Sequence, residues 1–268
     1  MVYDWSYFDQ IICINIDYRT DRRKKVEQFF AEHNIEAKFH TVKKSINGEI
    51  GCHNSHRDII RGAYESGAQR ILIFEADPHA TESFTTENLQ KCINFLKNNN
   101  WDLFNFGATP DIVHYTAEKK NDSIYRVHAY YGHCYAINRE YMRVIANLEY
   151  MDIPIDIIYK HNKKTYTFFP IMVSQDSLGS DIGIPTFLSN SNFIEFTRNL
   201  FFYYYILYIN KTIGTMIFYF ISLMGILLFP TYYHIIISFF LTLYLFIFYK
   251  YRVSTMKSSI NIFDTIKN

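Results

Sequence analysis

Two carboxylates, Glu75 and Asp77, directly follow a short apolar segment and have the spacing of a divalent-cation site. The segment RILIF at residues 70–74 is typical of a strand that is buried on both faces of a parallel sheet. Carboxylates at the carboxyl end of such a strand reach the crevice in which open α/β sheets bind ligands. Since Mg²⁺ and Mn²⁺ prefer oxygen ligands, we predict that Glu75 and Asp77 bind one of these ions, although a solvated turn shows the same pattern.

Several further segments accompany this acidic pair in a fixed order. They are INIDYRTDRR at residues 14–23, GEIGCHNSH at 48–56 and ILIFEAD at 71–77, followed by a weaker match from GHCYAI at 132–137 to SDI at 180–182. In these segments the sequence resembles glycosyltransferase family 25, which includes lipooligosaccharide galactosyltransferases and collagen hydroxylysine galactosyltransferases. The resemblance covers roughly residues 10–183, and the second and third segments are its most specific part.

The resemblance implies a GT-A fold and an enzyme that transfers galactose or glucose from a UDP-sugar to a hydroxyl of a glycan, glycolipid or protein. It also implies dependence on Mn²⁺ or Mg²⁺ and inversion of the anomeric carbon, so one carboxylate must accept the proton of the acceptor hydroxyl. The candidates for this general base are Asp156 and Asp181. The positions that we predict to bind the donor, or to hold the loop beside it, are Asn15, Asp17, Arg19, Arg22, Ser55, His56 and Gln175.

One position departs from the family pattern, because the acidic triplet Glu-Asp-Asp has Ala76 in its middle. The loss of this charge leaves a second function open, in which a degenerate family member binds a nucleotide sugar or a partner without transferring the sugar. Two predicted site residues also have simpler alternatives. Ser55 could cap a helix, and Arg22 could belong to a solvated helix face.

The four cysteines are scattered and show no paired spacing, which is typical of reduced thiols in a domain that faces the cytosol. Cys52, His53 and His56 do cluster, and this raises the question of a zinc site. A second ligand pair at zinc-finger spacing is missing from the sequence, so we do not predict zinc. A net charge of +1 gives no reason to predict nucleic acid as a partner.

Strand-like and helix-like segments alternate through the first two-thirds of the chain, which predicts βαβ units and a mostly parallel, Rossmann-like sheet flanked by helices. We assign residues 1–192 to this GT-A-like domain. The predicted strands are 10–17, 37–42, 70–74 and 101–106 with a strand pair at 124–137, and the predicted helices are 20–33, 54–67, 86–97 and 138–149.

The remaining chain is strongly apolar and predicts a membrane anchor. After an interfacial linker at 193–212, the segments 213–229 and 232–249 are each near the lower length limit for a transmembrane helix. They favour a hairpin of two spanning helices over one long helix kinked at Pro230 or a hairpin that enters the membrane only partly. Basic residues flank both ends, including the tail at 250–268, so the positive-inside rule places the catalytic domain on the cytosolic side. We therefore predict a multi-pass protein with the membrane as a partner.

Overall fold

The structure is a computed structural model, and it describes residues 3–110, 118–130 and 133–175. The chain divides into two units, Met1–Tyr203 and Tyr204–Asn268, and every element described below belongs to the first. The helices are α1 (Thr20–Glu32), α2 (Gly48–Glu65), α3 (Thr86–Asn98), α4 (Arg139–Ala146) and α5 (Ile155–Lys160). The strands are β1 (Gln10–Ile16), β2 (Lys38–Val42), β3 (Arg70–Glu75), β4 (Pro78–Ala80), β5 (Leu103–Asn105), β6 (Thr109–Pro110), β7 (Glu118–Lys119), β8 (Ile124–Arg126), β9 (Ala129–Tyr130), β10 (Cys134–Asn138), β11 (Thr165–Phe168) and β12 (Val173–Gln175).

Eight strands form one mixed sheet in the order β2-β1-β3-β10-β5-β11-β8-β7. β1 pairs in parallel with β2 and with β3, and Ile14 lies opposite Glu75 in this register. The carboxyl ends of these three strands therefore meet at one edge of the sheet. The sheet is less parallel than predicted, because β10 runs antiparallel to both β3 and β5. Between β5 and β10 the described residues contain no helix, and a parallel return to the sheet requires a long crossover.

The two faces of β3 carry different layers. Leu72 and Phe74 belong to a hydrophobic cluster with side chains of α1 and α3, whereas Ile71 and Ile73 are buried but lie outside that cluster. Because side chains alternate along a strand, Glu75 is on the same face as Ile71 and Ile73. That face is covered by α2, whose buried residues also lie outside the α1–α3 cluster.

Phe74 fixes α1 against the sheet by packing edge-to-face with two aromatic rings. Its ring centroid lies 5.3 Å from that of Phe30 and 6.2 Å from that of Phe29. Pairs in this geometry contribute about 0.5–1.5 kcal/mol beyond the burial of their apolar area. This packing places Arg22, in the first half of α1, beside the end of β3.

Helix α2 begins earlier than predicted and includes the whole GEIGCHNSH segment. Asn47 caps it, because its side chain accepts hydrogen bonds from the backbone N–H groups of Glu49 and Ile50 at 2.9 and 3.2 Å. The predicted cap Ser55 instead lies inside the helix, where its hydroxyl donates to the carbonyl of Gly51 at 2.7 Å. The predicted start of this helix at residue 54 is therefore wrong.

The membrane prediction requires correction. Within the residues that the structure describes, no helix combines the length and the apolar character needed to cross a bilayer. The longest of them, α2, has 18 residues and carries five charged side chains. This finding overturns the predicted transmembrane hairpin, the multi-pass localisation and the membrane partner that followed from it. Residues 213–249 themselves, like the predicted linker and basic tail, lie outside the described residues.

Asp9 anchors the start of β3, since its Oδ2 accepts the backbone N–H groups of Gln69 and Arg70 at 2.6 and 2.8 Å. We expect Asp9→Ala to lower the free energy of unfolding by about 1–2 kcal/mol, because both donors lose a charged acceptor. Asp9→Asn keeps an acceptor oxygen and should cost less. Urea unfolding of the two variants measures the difference, and equal stabilities would contradict this role.

Candidate functional site

The two predicted metal ligands, Glu75 and Asp77, are directed to different helices. β3 ends at Glu75 and the chain bends at Ala76, which interrupts the strand periodicity that would otherwise place both carboxylates on one face. Asp77 Oδ2 lies 3.2 Å from Nη1 of Arg22, and the two side chains are only 9% and 13% exposed. Asp77 thus forms a nearly buried ion pair with α1.

Glu75 turns instead to α2 and contacts His56. Its Oε1 lies 3.4 Å from Nε2 of His56, whose side chain is 2% exposed, whereas the Glu75 side chain is 30% exposed. Cys52 joins this pair, because one ligand atom from each of Cys52, His56 and Glu75 lies within 4.8 Å of the other two. Cys52 and His56 are four residues apart and therefore occupy the same face of α2.

Two buried tyrosines extend this cluster into the protein. Nδ1 of His56 is 2.8 Å from the hydroxyl of Tyr135 on β10, and that hydroxyl is 2.9 Å from the hydroxyl of Tyr159 on α5. Burial raises the pKa of both phenols well above the ordinary value, so both stay protonated and able to donate. Neither tyrosine is among the site residues predicted from the sequence.

His56 and Glu75 form a charged pair. Burial opposes the imidazolium and by itself lowers the pKa of His56, but hydrogen bonds to Cys52 and Glu75 outweigh it and hold that pKa well above its ordinary value. Burial likewise raises the pKa of Glu75, and the contact with His56 reverses the effect, so the pKa of Glu75 is lowered. The contact between them therefore favours the charged form of both the His56 imidazole and the Glu75 carboxyl.

Asp156, one of the two predicted general bases, lies in the first turn of α5 and is electrostatically coupled to this cluster. Burial raises the pKa of its carboxyl, and the negative charge of Glu75 raises it further, while a hydrogen bond from the backbone N–H of Ile157 opposes both. A carboxyl with a raised pKa is a better proton acceptor than an ordinary one. The second predicted base, Asp181, lies outside the described residues.

The residues predicted at the end of the first strand do not all face the crevice. Asn15 is buried and donates to the carbonyl of Ile16 at 2.9 Å, and its Oδ1 has no hydrogen-bond partner among the described residues. Asp17 is exposed and accepts the backbone N–H of Tyr18. Arg19 is engaged with Asp21 at 2.9 Å. Of these three predicted donor-binding residues, Asn15 is the one that lies buried beside the sheet edge.

Gln175 is brought close to the acidic pair by β12, a strand that is not among those predicted from the sequence. β12 pairs with β4 so that Gln175 lies opposite Pro78, the residue that follows Asp77. β12 also passes very close to the backbone of Gly107, because a Cβ atom added to Gly107 would lie only 1.9 Å from the carbonyl oxygen of Val173. Glycine is therefore required at position 107 for β12 to pass this close to the sheet.

The predicted Mg²⁺ or Mn²⁺ site does not fit this arrangement. An ion held by both Glu75 and Asp77 would have to lie between carboxylates that face different helices, since Asp77 contacts Arg22 on α1 and Glu75 contacts His56 on α2. The donor atoms that do converge on Glu75 are a sulfur and a nitrogen, which Mg²⁺ and Mn²⁺ do not favour. No catalytic step is therefore assigned to an ion bound by this pair.

A small cavity lies on the Asp77 side of the edge, between α1 and the turn that carries Ala76. Its volume is about 190 Å³, and its lining includes Lys25, Phe29 and His79. Ligand sites for whole small molecules occupy about 300–1,000 Å³. The cavity can hold part of a ligand such as a phosphate or a ribose, but it is too small for a complete nucleotide sugar.

Comparisons with known proteins provide no family assignment. No protein-family model matches the chain, and no curated protein matches its sequence. The solved structures that resemble it include A197 from STIV, with 11% identity, a TM-score of 0.40 and coverage of 66% of this chain and 87% of that one. A glycosyltransferase involved in glycosylation of the major capsid of PBCV-1 has 10% identity, a TM-score of 0.32 and coverage of 51% and 63%. UDP-glucose pyrophosphorylase complexed with UDP-glucose has 11% identity, a TM-score of 0.39 and coverage of 72% and 81%.

With TM-scores below 0.5 and identities below 25%, these similarities carry no argument about function, and none of them points to family 25. The mixed α/β fold is established by the chain's own sheet.

The hydroxyl of Tyr135 supports the buried imidazole of His56, and its removal should leave Nδ1 without a partner. We expect Tyr135→Phe to lower the free energy of unfolding by about 1–3 kcal/mol. Tyr166→Phe is the matched control, because the Tyr166 hydroxyl donates to the carbonyl of Asn100 at the surface over a long distance of 3.4 Å, and it should change stability by less than about 0.5 kcal/mol. Chemical unfolding measures both changes. Equal decreases in the free energy of unfolding would show that the buried Tyr135 hydroxyl stabilises the protein no more than the exposed Tyr166 hydroxyl.

The raised pKa of Asp156 makes its charge unfavourable in the folded state. This cost is absent below the ordinary pKa of 3.8, where the carboxyl is protonated in both states, and is complete above the raised pKa of the folded state. We therefore expect Asp156→Asn to stabilise the protein by about 0.5–1 kcal/mol at pH 7 and to have little effect at pH 3. Asp122→Asn, at an exposed position, should show neither effect in the same unfolding series.

Proposed function

We propose that this chain is a glycosyltransferase that moves a hexose, galactose or glucose, from a UDP-sugar to a hydroxyl of a glycan, glycolipid or protein acceptor. The observation that carries the proposal is the placement of four predicted site residues at the carboxyl edge of parallel strands, where α/β sheets bind ligands. These residues form two pairs, Arg22 with Asp77 and His56 with Glu75. The resemblance of GEIGCHNSH and ILIFEAD to family 25 supplies the reaction class.

Arg22 is the residue that we assign to the diphosphate of the donor. Its guanidinium presents several N–H donors in a planar fork that suits phosphate oxygens. Asp77 holds this guanidinium at the strand end, and burial of both side chains limits competition from water. The charge that develops on the leaving diphosphate would thus meet a fixed cation, which is the arrangement that stabilises such transition states.

The transfer itself is an in-line displacement at the anomeric carbon, with inversion. The acceptor oxygen forms a bond to the anomeric carbon while the bond to the diphosphate oxygen breaks, and UDP leaves with the bonding electron pair. The proton of the acceptor hydroxyl passes to a carboxylate, for which we propose Asp156 because burial and Glu75 raise its pKa. The resemblance also predicts a Mn²⁺ or Mg²⁺ requirement, which the assay below tests separately.

A second candidate function is binding of a nucleotide sugar without transfer. Ala76 favours it, because this side chain is 6% exposed and belongs to the hydrophobic cluster beneath α1, where the family has its middle acid. A protein of this kind would keep the Arg22 contact to the diphosphate and lack turnover. Binding and turnover must therefore be measured separately.

The test is UDP release by the full-length chain from a panel of UDP-sugars with mixed glycan acceptors. We expect turnover with one sugar and a loss of about 10²–10³-fold in kcat for Arg22→Ala, the effect of removing one donor to a developing anion. Lys24→Ala, an exposed position on the same helix, is the matched control and should retain wild-type rates. Parallel reactions with Mn²⁺ and with EDTA measure the metal requirement.

Three outcomes distinguish the possible functions. Turnover that depends on Arg22 supports the transferase. UDP binding by calorimetry without turnover of any sugar supports the binding function instead. Absence of UDP binding in the folded wild-type protein would rule out a nucleotide-sugar site of either kind.

A further inference from the structure

We infer that Cys52, His56 and Glu75 form a binding site for a divalent cation of the zinc class. Each residue offers one ligand atom, and the three atoms lie within 4.8 Å of one another. This site shares Glu75 with the predicted Mg²⁺ or Mn²⁺ site, but its other ligands are the thiol of Cys52 and the imidazole of His56, and Asp77 takes no part in it. It is also distinct from the sequence cluster of Cys52, His53 and His56, since Nε2 of His53 faces the carbonyl of Leu148 at 3.2 Å.

The three ligands come from two elements that the fold holds rigidly. Cys52 and His56 share one face of α2 at a spacing of four residues, and Glu75 is the last residue of β3. α2 is capped by Asn47, and β3 is hydrogen-bonded to strands on both sides. The ligand atoms are therefore brought together before any ion binds, which reduces the ordering cost of binding.

The separation of the nitrogen and oxygen ligand atoms matches that of two ligands in a tetrahedral site. Nitrogen and oxygen ligands lie about 2.0–2.1 Å from zinc, so two of them at a tetrahedral angle are about 3.4 Å apart. The distance from His56 Nε2 to Glu75 Oε1 is 3.4 Å. An ion can thus bind between these two atoms without displacement of either main chain.

The orientation of His56 supports the same inference. A histidine that binds a metal through one ring nitrogen usually forms a hydrogen bond through the other, which fixes the plane of the ring. Here Nδ1 is bonded to the hydroxyl of Tyr135 at 2.8 Å, and Tyr159 supports that hydroxyl at 2.9 Å. This leaves Nε2, the nitrogen that faces Glu75, for the ion.

The donor set selects the class of ion. A thiolate, an imidazole and a carboxylate suit Zn²⁺ and its spectroscopic substitute Co²⁺, while Mg²⁺ and Ca²⁺ require oxygen ligands. The thiolate and the carboxylate together neutralise the two positive charges of the ion. With three protein ligands a fourth tetrahedral position stays open, as in catalytic zinc sites. Cys52 is half-buried and Glu75 is 30% exposed, so the ion can enter from solvent.

The binding step is an exchange of protons for the ion and includes no redox change. The thiol of Cys52 loses its proton as the sulfur–metal bond forms, the imidazolium of His56 loses its Nε2 proton so that the neutral ring binds the ion, and both protons pass to solvent. The inference depends on these three side chains alone and not on the proposed transferase activity, because the ion is measured in the absence of any sugar nucleotide.

The experiment titrates the chelator-treated, full-length protein with Co²⁺ alone and then with Zn²⁺ against a chromogenic chelator. We expect one Co²⁺ per chain with a sulfur-to-cobalt charge-transfer band, which Cys52→Ser should abolish. The same substitution should weaken Zn²⁺ binding at least about 100-fold, since even the outer partners of metal ligands contribute about 10–100-fold. Tyr135→Phe should weaken it about tenfold for that reason.

Two further variants complete the test. Glu75→Gln should weaken Zn²⁺ binding and keep a charge-transfer band, because the thiolate remains. His53→Gln, which alters the neighbouring histidine on the same helix, should leave the affinity within about twofold of wild type, the null result expected for a side chain outside the coordination sphere. The inference is overturned if the folded wild-type protein binds no Co²⁺, or if Cys52→Ser binds Zn²⁺ as tightly as wild type.

Discussion

The imidazole of His56 is buried and has a partner at each of its ring nitrogens, and the assembly around it depends on these two contacts. A buried polar group without a partner costs about 1–3 kcal/mol, a large fraction of the net stability of a domain. One nitrogen of His56 faces Glu75 at the end of β3, and the other faces Tyr135 on β10 and, through it, Tyr159 on α5. Two consecutive elements, α2 and β3, are thereby joined to β10 and α5 from much later in the chain in one arrangement at the edge of the sheet.

At the same edge of the sheet, Glu75 and Asp77 face different helices although they are only two positions apart in the sequence. Alternation along β3 places Glu75 on the α2 face, and the bend at Ala76 then directs Asp77 to Arg22 on α1. Each carboxylate acquires its own cation, so the two charges do not have to share one ion. The edge therefore has two chemically different halves, one with an arginine and a carboxylate and the other with sulfur, nitrogen and oxygen donors.

Local patterns in the sequence predict much of the first half of the fold, but not the contacts that define the site. The strand before Glu75, helix α1 and helix α3 follow from apolar periodicity, and the structure confirms them. The predicted start of α2 is wrong, because Asn47 caps the helix and the sequence pattern placed its start at residue 54. The antiparallel β10, the partnership of Tyr135 with His56 and the pairing of Arg22 with Asp77 join residues 55–79 positions apart, and no local pattern encodes such contacts.

The short β4–β12 ladder gives the two halves of the edge different freedom of movement. Glu75 ends a strand of the eight-stranded sheet, whereas Asp77 precedes a ladder of three residue pairs between two strands. Two-stranded ladders are marginally stable on their own, and segments with few hydrogen bonds open locally at a low free-energy cost. Local opening of this ladder would release the turn at Asp77 and its contact with Arg22 while Glu75 and His56 stay in place. The fixed position of the Arg22 guanidinium thus depends on a closed β4–β12 ladder, whereas the contact between Glu75 and His56 does not.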